Sequence, residues 1–156
     1  MRVSQQTLLD RVKDTYTDLQ FETADEFLYD AADEIIYYEP ESLQNHDGQV
    51  ALLHEVAHAE LGHFHFSSDL ELFALETQAW DKTASLCKEY SVPLSEEYLQ
   101  SCLQTYATWL TQRATCPACE NFSTQENALT YRCFLCHTRW QVKTDAQSRI
   151  KRVRLS

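Results

Sequence analysis

The chain has 156 residues, of which 44% are apolar, enough for one packed domain or for one domain with a small appendage. No run of about 18 apolar residues occurs, which excludes a helical membrane span, and the start Met1-Arg2-Val3-Ser4-Gln5-Gln6 lacks the apolar stretch of a secretory signal, so a cytoplasmic protein is expected. The net charge of −11 is uneven: residues 1–113 hold 6 basic and 21 acidic side chains (net −15), whereas residues 114–156 hold 7 and 3 (net +4), so any nucleic-acid contact is expected from the C-terminal part.

Along the chain, Leu8, Leu9, Val12 and Tyr16 stand at helical spacing. Phe27-Leu28-Tyr29 and Ile35-Ile36-Tyr37-Tyr38 flank a short polar turn and predict a β-hairpin, closed by Pro40. Asn45-His46-Asp47-Gly48 reads as a loop with Asp47 as N-cap of a helix from Gln49 to about Phe64, whose apolar stripe is Leu52, Leu53, Val56, Ala57 and Leu61. Ser67-Ser68-Asp69 opens a second helix to about Glu89, with Leu72, Leu75, Ala79 and Leu86 inward. A third helix follows Pro93, from Ser95 to near Arg113, with Tyr98, Leu99, Leu103, Tyr106 and Leu110 inward. The expected architecture is α+β: a mostly helical domain with a small β-hairpin over 1–113, a metal-stabilised knuckle over 114–143, and a basic tail over 144–156.

The first of these helices carries His54-Glu55-Val56-Ala57-His58. Residues four apart share a helix face, so the two imidazoles are placed to hold one zinc ion, and the adjacent Glu55 is placed to act as general base on a water activated there. Glutamate and two histidines in so apolar a helix are costly unless they have partners. A third ligand is required. The metzincin pattern needs glycine at 61 and histidine at 64, where this chain has Leu61 and Phe64, with Gly62 one position late. The better candidate is Glu76 on the next helix, 18 residues beyond His58, with Glu71 as runner-up and Asp69 read as a cap. His63 and His65 are assigned to the helix end or to supporting the ligands.

Cys116-Pro117-Ala118-Cys119 and Cys133-Phe134-Leu135-Cys136 form the second constellation. Two such pairs joined by a hairpin make a four-cysteine zinc ribbon, because so short a segment buries too little core to fold without metal. Paired cysteines in a cytosolic chain point to metal rather than disulfides. Phe122, Tyr131, Trp140 and Val142 are expected to pack around the ribbon, whereas Cys87 and Cys102 read as core residues. One catalytic and one structural zinc are therefore expected.

The residues Ile35–Tyr38, Leu52–His63 and Leu75-Glu76-Thr77-Gln78-Ala79-Trp80 resemble the ImmA/IrrE metallopeptidases, over roughly residues 27–90. The resemblance implies a zincin-like fold of the gluzincin type, ligation of zinc by His54, His58 and Glu76, and catalysis by Glu55. Many members have a second acidic residue where this chain has Gln78. It also implies limited proteolysis of an intracellular regulatory protein, often a repressor. Two other readings stand beside it: an SprT-like protease acting on DNA-bound proteins, and a non-catalytic zinc-stabilised adaptor. In the leading reading the Ile35–Tyr38 strand is expected to line the cleft and pair with an extended substrate.

Overall fold

In the computed structural model, which describes residues 6–63, 68–142 and 152–155, the chain forms four α-helices and two small sheets, an α+β architecture. None of the helices is long and apolar enough to cross a membrane. The chain divides into two compact units, Met1–Phe64 with Gln78–Ser95, and His65–Thr77 with Glu96–Ser156. The step in charge and composition at 113/114 does not coincide with that division.

The first unit begins with α1 (Leu8–Thr15), whose N-terminal donors are satisfied by a capping box: Asp10 N–H donates to Thr7 Oγ1 and Thr7 N–H donates to the Asp10 carboxylate. Its one fully buried side chain is Val12. Three strands follow: β1 (Gln20–Thr23), β2 (Leu28–Asp30) and β3 (Ile35–Tyr38). The hairpin read from the sequence is β2–β3, antiparallel, with Tyr29 opposite Ile36. Strand β1 runs parallel to the other side of β3. Its sequence, Gln-Phe-Glu-Thr, carries one apolar residue and gives no alternating signal.

The sheet order β1-β3-β2 corrects one expectation. Strand β3 is central and its backbone groups are shared between two neighbours, so Ile35–Tyr38 has no edge to offer a substrate. The edges belong to β1 and β2.

A 3-10 turn (Glu41–Gln44) leads into α2 (His46–Leu61), which lies against β2 and β3. It begins before the expected start at Gln49, so Asp47 sits inside the first turn rather than capping it. Asn45 takes the cap position without a side-chain bond. The two glycines of the chain frame this helix. Gly48 is where it meets the 3-10 turn: a Cβ there would lie 1.9 Å from the Ser42 carbonyl oxygen. Gly62 ends the helix in the left-handed conformation, φ 69°, and its N–H returns to the Ala59 carbonyl.

Helix α3 (Asp69–Glu89) is uninterrupted, and the boundary between the units falls within it. Ser68 opens it, its hydroxyl accepting the Glu71 N–H at 3.1 Å. Its buried line is Leu72, Glu76, Ala79, Trp80, Thr83, Leu86 and Cys87.

In the second unit, α4 (Glu96–Ala114) buries Tyr106, Trp109 and Arg113. A four-stranded antiparallel sheet follows, β4 (Thr124–Gln125), β5 (Thr130–Arg132), β6 (Arg139–Val142) and β7 (Arg152–Leu155), in that spatial order. Strand β7 lies at the end of the stretch read as a basic tail and pairs along β6; the rest of that stretch, 144–151 and Ser156, falls outside the described residues, as does His65.

The Gly48 contact yields a direct prediction. Alanine there must push α2 away from the Ser42 backbone, and overpacking of this kind costs about 1–3 kcal/mol. Urea denaturation of Gly48→Ala should show a loss in that range or above it; an unchanged midpoint would contradict the close approach.

Candidate metal centres

Among the described residues, two groups bring metal-ligating atoms together: His54, His58 and Glu76, and Cys116, Cys119, Cys133 and Cys136. Within each group one ligand atom per residue lies within 4.8 Å of all the others. These are the seven residues singled out from the sequence. Glu71, the alternative third ligand, is not among them.

His54 and His58 stand one turn apart on α2, and their Nε2 atoms are 3.2 Å apart. Two imidazole nitrogens bound to one tetrahedral ion at about 2.0–2.1 Å are separated by about 3.3 Å. The observed spacing therefore fits ligands converging on one centre.

The ring of His54 is held from two sides. It stacks on Trp80 at 4.1 Å between centroids, and its Nδ1 is 3.1 Å from Thr83 Oγ1. The Thr83 hydroxyl proton is committed to the Ala79 carbonyl at 2.7 Å. Thr83 must then accept, so His54 carries its proton on Nδ1 and presents a lone pair at Nε2.

Glu76 is only 4% exposed, in line with the apolar residues of α3. Its carboxylate is one of the three groups whose ligand atoms converge here, two neutral imidazoles and one anionic oxygen donor. The residues present thus fit a metal ion by spacing and by the chemistry of their donor atoms.

The catalytic candidate, Glu55, faces the sheet. Its Oε2 accepts the backbone N–H of Tyr29 in β2 at 2.9 Å. One turn further along α2, Glu60 bonds Tyr16 of α1 at 2.7 Å and Lys82 of α3 at 2.8 Å. Burial pushes its carboxyl upward, but those two bonds outweigh it and hold Glu60 below the ordinary carboxylate range.

The sequence reading did not single out Thr83 or Tyr29. Thr83 was accessible: it lies seven residues beyond Glu76, on the same helical face, as a second polar group in an apolar line. Tyr29 contributes only its backbone, which leaves no trace in residue identity.

In the cysteine group, Cys116 Sγ lies 3.6 Å from Cys136 Sγ, and Cys119 Sγ lies 3.5 Å from Cys133 Sγ. A disulfide requires about 2.05 Å, whereas four sulfurs at about 2.3 Å from one ion are about 3.8 Å apart. Backbone N–H groups of Ala118 and Cys136 donate to the sulfurs of Cys116 and Cys133, both at 3.4 Å. The Cys136 N–H is the main reason that the Cys133 thiol is pulled down to about 6, which makes it a thiolate at neutral pH. Burial acts the opposite way on Cys116 and raises it. His137 is not part of the group.

Tyr131, Trp140 and Val142 are buried against Cys116 and Cys133 as expected, with the Tyr131 and Trp140 rings stacked at 5.4 Å. Phe122 is 60% exposed and does not join them, which corrects its assignment to this core. Missing from the sequence reading was Arg113. It is 1% exposed, bonds Asp69 at 3.3 Å and the Ala128 carbonyl at 3.0 Å, and lies 4.5 Å over the Trp109 ring. Asp69, read as a cap, instead receives Arg113, the Tyr131 hydroxyl and the Gln125 amide. Burial raises its carboxyl, against the pull of Tyr131 and Arg113.

No family model matches the chain, and comparison with curated proteins and with solved structures gave no significant match. The resemblance drawn above therefore rests on the residues that carry it.

If the four cysteines share an ion, their small core depends on it. A Cys133→Ala variant should bind about one metal ion fewer per chain and release Trp140 to water. That shift is read as a red-shifted tryptophan emission, absent when Cys133→Ala is made together with Trp140→Phe. Unchanged emission and metal content would refute the shared site.

Proposed function

We propose that this chain is a zinc-dependent endopeptidase of the zincin-like, ImmA/IrrE-like type, cutting an extended segment of a cytoplasmic protein. The observation that carries the reading is the placing of Glu55. It sits beside one of two converging imidazoles, and an edge strand holds its carboxylate through the Tyr29 N–H at 2.9 Å.

The roles follow from that arrangement. His54, His58 and Glu76 would hold the zinc, with two neutral ligands and one anionic, so the centre keeps a net positive charge. A zinc ion held there would supply Lewis acidity, polarising a carbonyl and making water easier to deprotonate. Glu55 would serve as general base toward the attacking water and as the donor of a proton to the leaving amine. The Tyr29 N–H fixes the direction of the carboxylate during both transfers.

Among the described residues, strand β2 pairs with β3 on one side only; with its Tyr29 N–H taken by Glu55, an extended substrate would lie beside that edge through the remaining backbone groups. Leu28, 48% exposed on β2, offers an apolar contact next to that edge. The cysteine ribbon holds a second, structural zinc, because four thiolates leave no open position for a reacting group. By the resemblance, the substrate is a regulatory protein such as a repressor.

Metal content and cleavage together test this. Purified wild type should carry about two zinc ions, and a His54→Ala/His58→Ala variant about one. Glu55→Gln should keep both ions yet lose about 10²–10⁴-fold in the cleavage of a proteome-derived peptide library, followed by mass spectrometry. A single zinc untouched by the double variant would leave only a non-catalytic adaptor. Equal cleavage by wild type and Glu55→Gln would reject the assigned base.

A further inference from the structure

The proton on His54 is placed by a hydroxyl, that of Thr83; the proton on His58 is placed by a different kind of group. The neighbour of its Nδ1 is another imidazole: His58 Nδ1 lies 2.9 Å from His63 Nδ1. Such a pair is ambiguous in itself, because either nitrogen could donate. If His63 donated, His58 would carry its own proton on Nε2, the atom that faces His54, and that lone pair would be lost to any metal.

Gln78 removes the ambiguity. Its Oε1 lies 3.3 Å from His63 Nε2. An amide oxygen only accepts, so His63 carries its proton on Nε2. A neutral His63 then has a lone pair at Nδ1, and His58 must donate to it. His58 Nε2 is left unprotonated, 3.2 Å from the unprotonated Nε2 of His54.

We propose that His63 and Gln78 are positioning residues that set the tautomer of His58 and so present its Nε2 lone pair to the metal. This rests on the reading that His54, His58 and Glu76 hold an ion. The relay runs along the chain's own fold. The helix-ending Gly62 turns the backbone back so that the next residue, His63, meets His58 one turn earlier, and the His63 N–H itself bonds the His58 carbonyl at 3.1 Å. Gln78 lies two residues beyond Glu76 on α3, so one helix supplies both an anionic ligand and the acceptor that orders a neutral one. A neutral amide suits that task. It accepts the His63 proton without stabilising a doubly protonated His63, whose Nδ1 could no longer accept from His58.

The test compares zinc affinities of the full chain by competition with a colorimetric chelator, resolving the ribbon ion from the helix-site ion. His63→Leu should weaken the helix site by about 10–100-fold, the usual effect of losing a group that orients a metal-bound histidine. Gln78→Leu should weaken it by a smaller factor, since His63 remains but its tautomer is no longer imposed. His63→Gln, whose amide oxygen can accept from His58, should recover part of the loss. The ribbon affinity should stay constant and serves as the internal control for folding. Affinity within about twofold of wild type in His63→Leu would overturn the assignment while leaving the metal site standing. So would His63→Gln as weak as His63→Leu, because packing alone would then explain the effect. A wild-type chain that binds only the ribbon zinc would overturn this assignment and the proposed function together.

Discussion

A carboxylate and a hydroxyl cannot be buried in the apolar line of a helix without partners. Helix α3 buries both, Glu76 and Thr83, in register with Leu72, Ala79 and Leu86. The cost of doing so is of the same order as the stability of a whole small domain if nothing compensates it. Thr83 meets the buried His54 of α2, and the ligand nitrogens of that helix share a locus with a Glu76 oxygen. The apolar residues bring the helices into a protein interior, but the polar ones restrict their rotation and register. A turn of α3 about its axis would bury the same hydrocarbon and strand two polar groups.

The second unit solves a different problem. Its sheet has short strands and little apolar surface, and its interior is made of Tyr131, Trp140, Val142 and the two innermost cysteines. A buried guanidinium completes it. Arg113, in the last turn of α4, reaches Asp69, Tyr131 and the Ala128 carbonyl, while its own carbonyl receives the Trp140 indole N–H at 2.9 Å. An ion pair at this depth is costly to desolvate and more costly to break, so its value lies in geometric specificity as much as in stability. Each group in the network has one arrangement that satisfies it.

Much of this was legible because residue types with strong demands stand at diagnostic spacings. The paired histidines, the cysteine pairs and the β2–β3 hairpin were visible from period and composition alone, and the three longer helices were found to within a few residues. What escaped was decided by tertiary pairing. Strand β1 carries one apolar residue and exists because β3 had an edge to fill. The same event made β3 central and left β1 and β2 as the outer strands. Trp109 and Arg113 were passed over in α4 in favour of Leu99 and Leu103, which are only partly buried. A stripe read by hydrophobicity has no place for an arginine whose partner lies 44 positions away in Asp69.

That long-range tie has a consequence for how the chain comes into being. Asp69 opens α3 two turns before Glu76, and its side-chain partners are Arg113, Gln125 and Tyr131. A chain emerging from the ribosome displays His54, His58 and Glu76 well before it displays any of those three. The candidate metal-binding group is therefore complete in composition while the start of α3 still lacks its anchor. Only after the ribbon hairpin has been made does the first turn of α3 gain the partners that hold it, so the order of synthesis sets the anchoring of this helix after the appearance of its own buried polar groups.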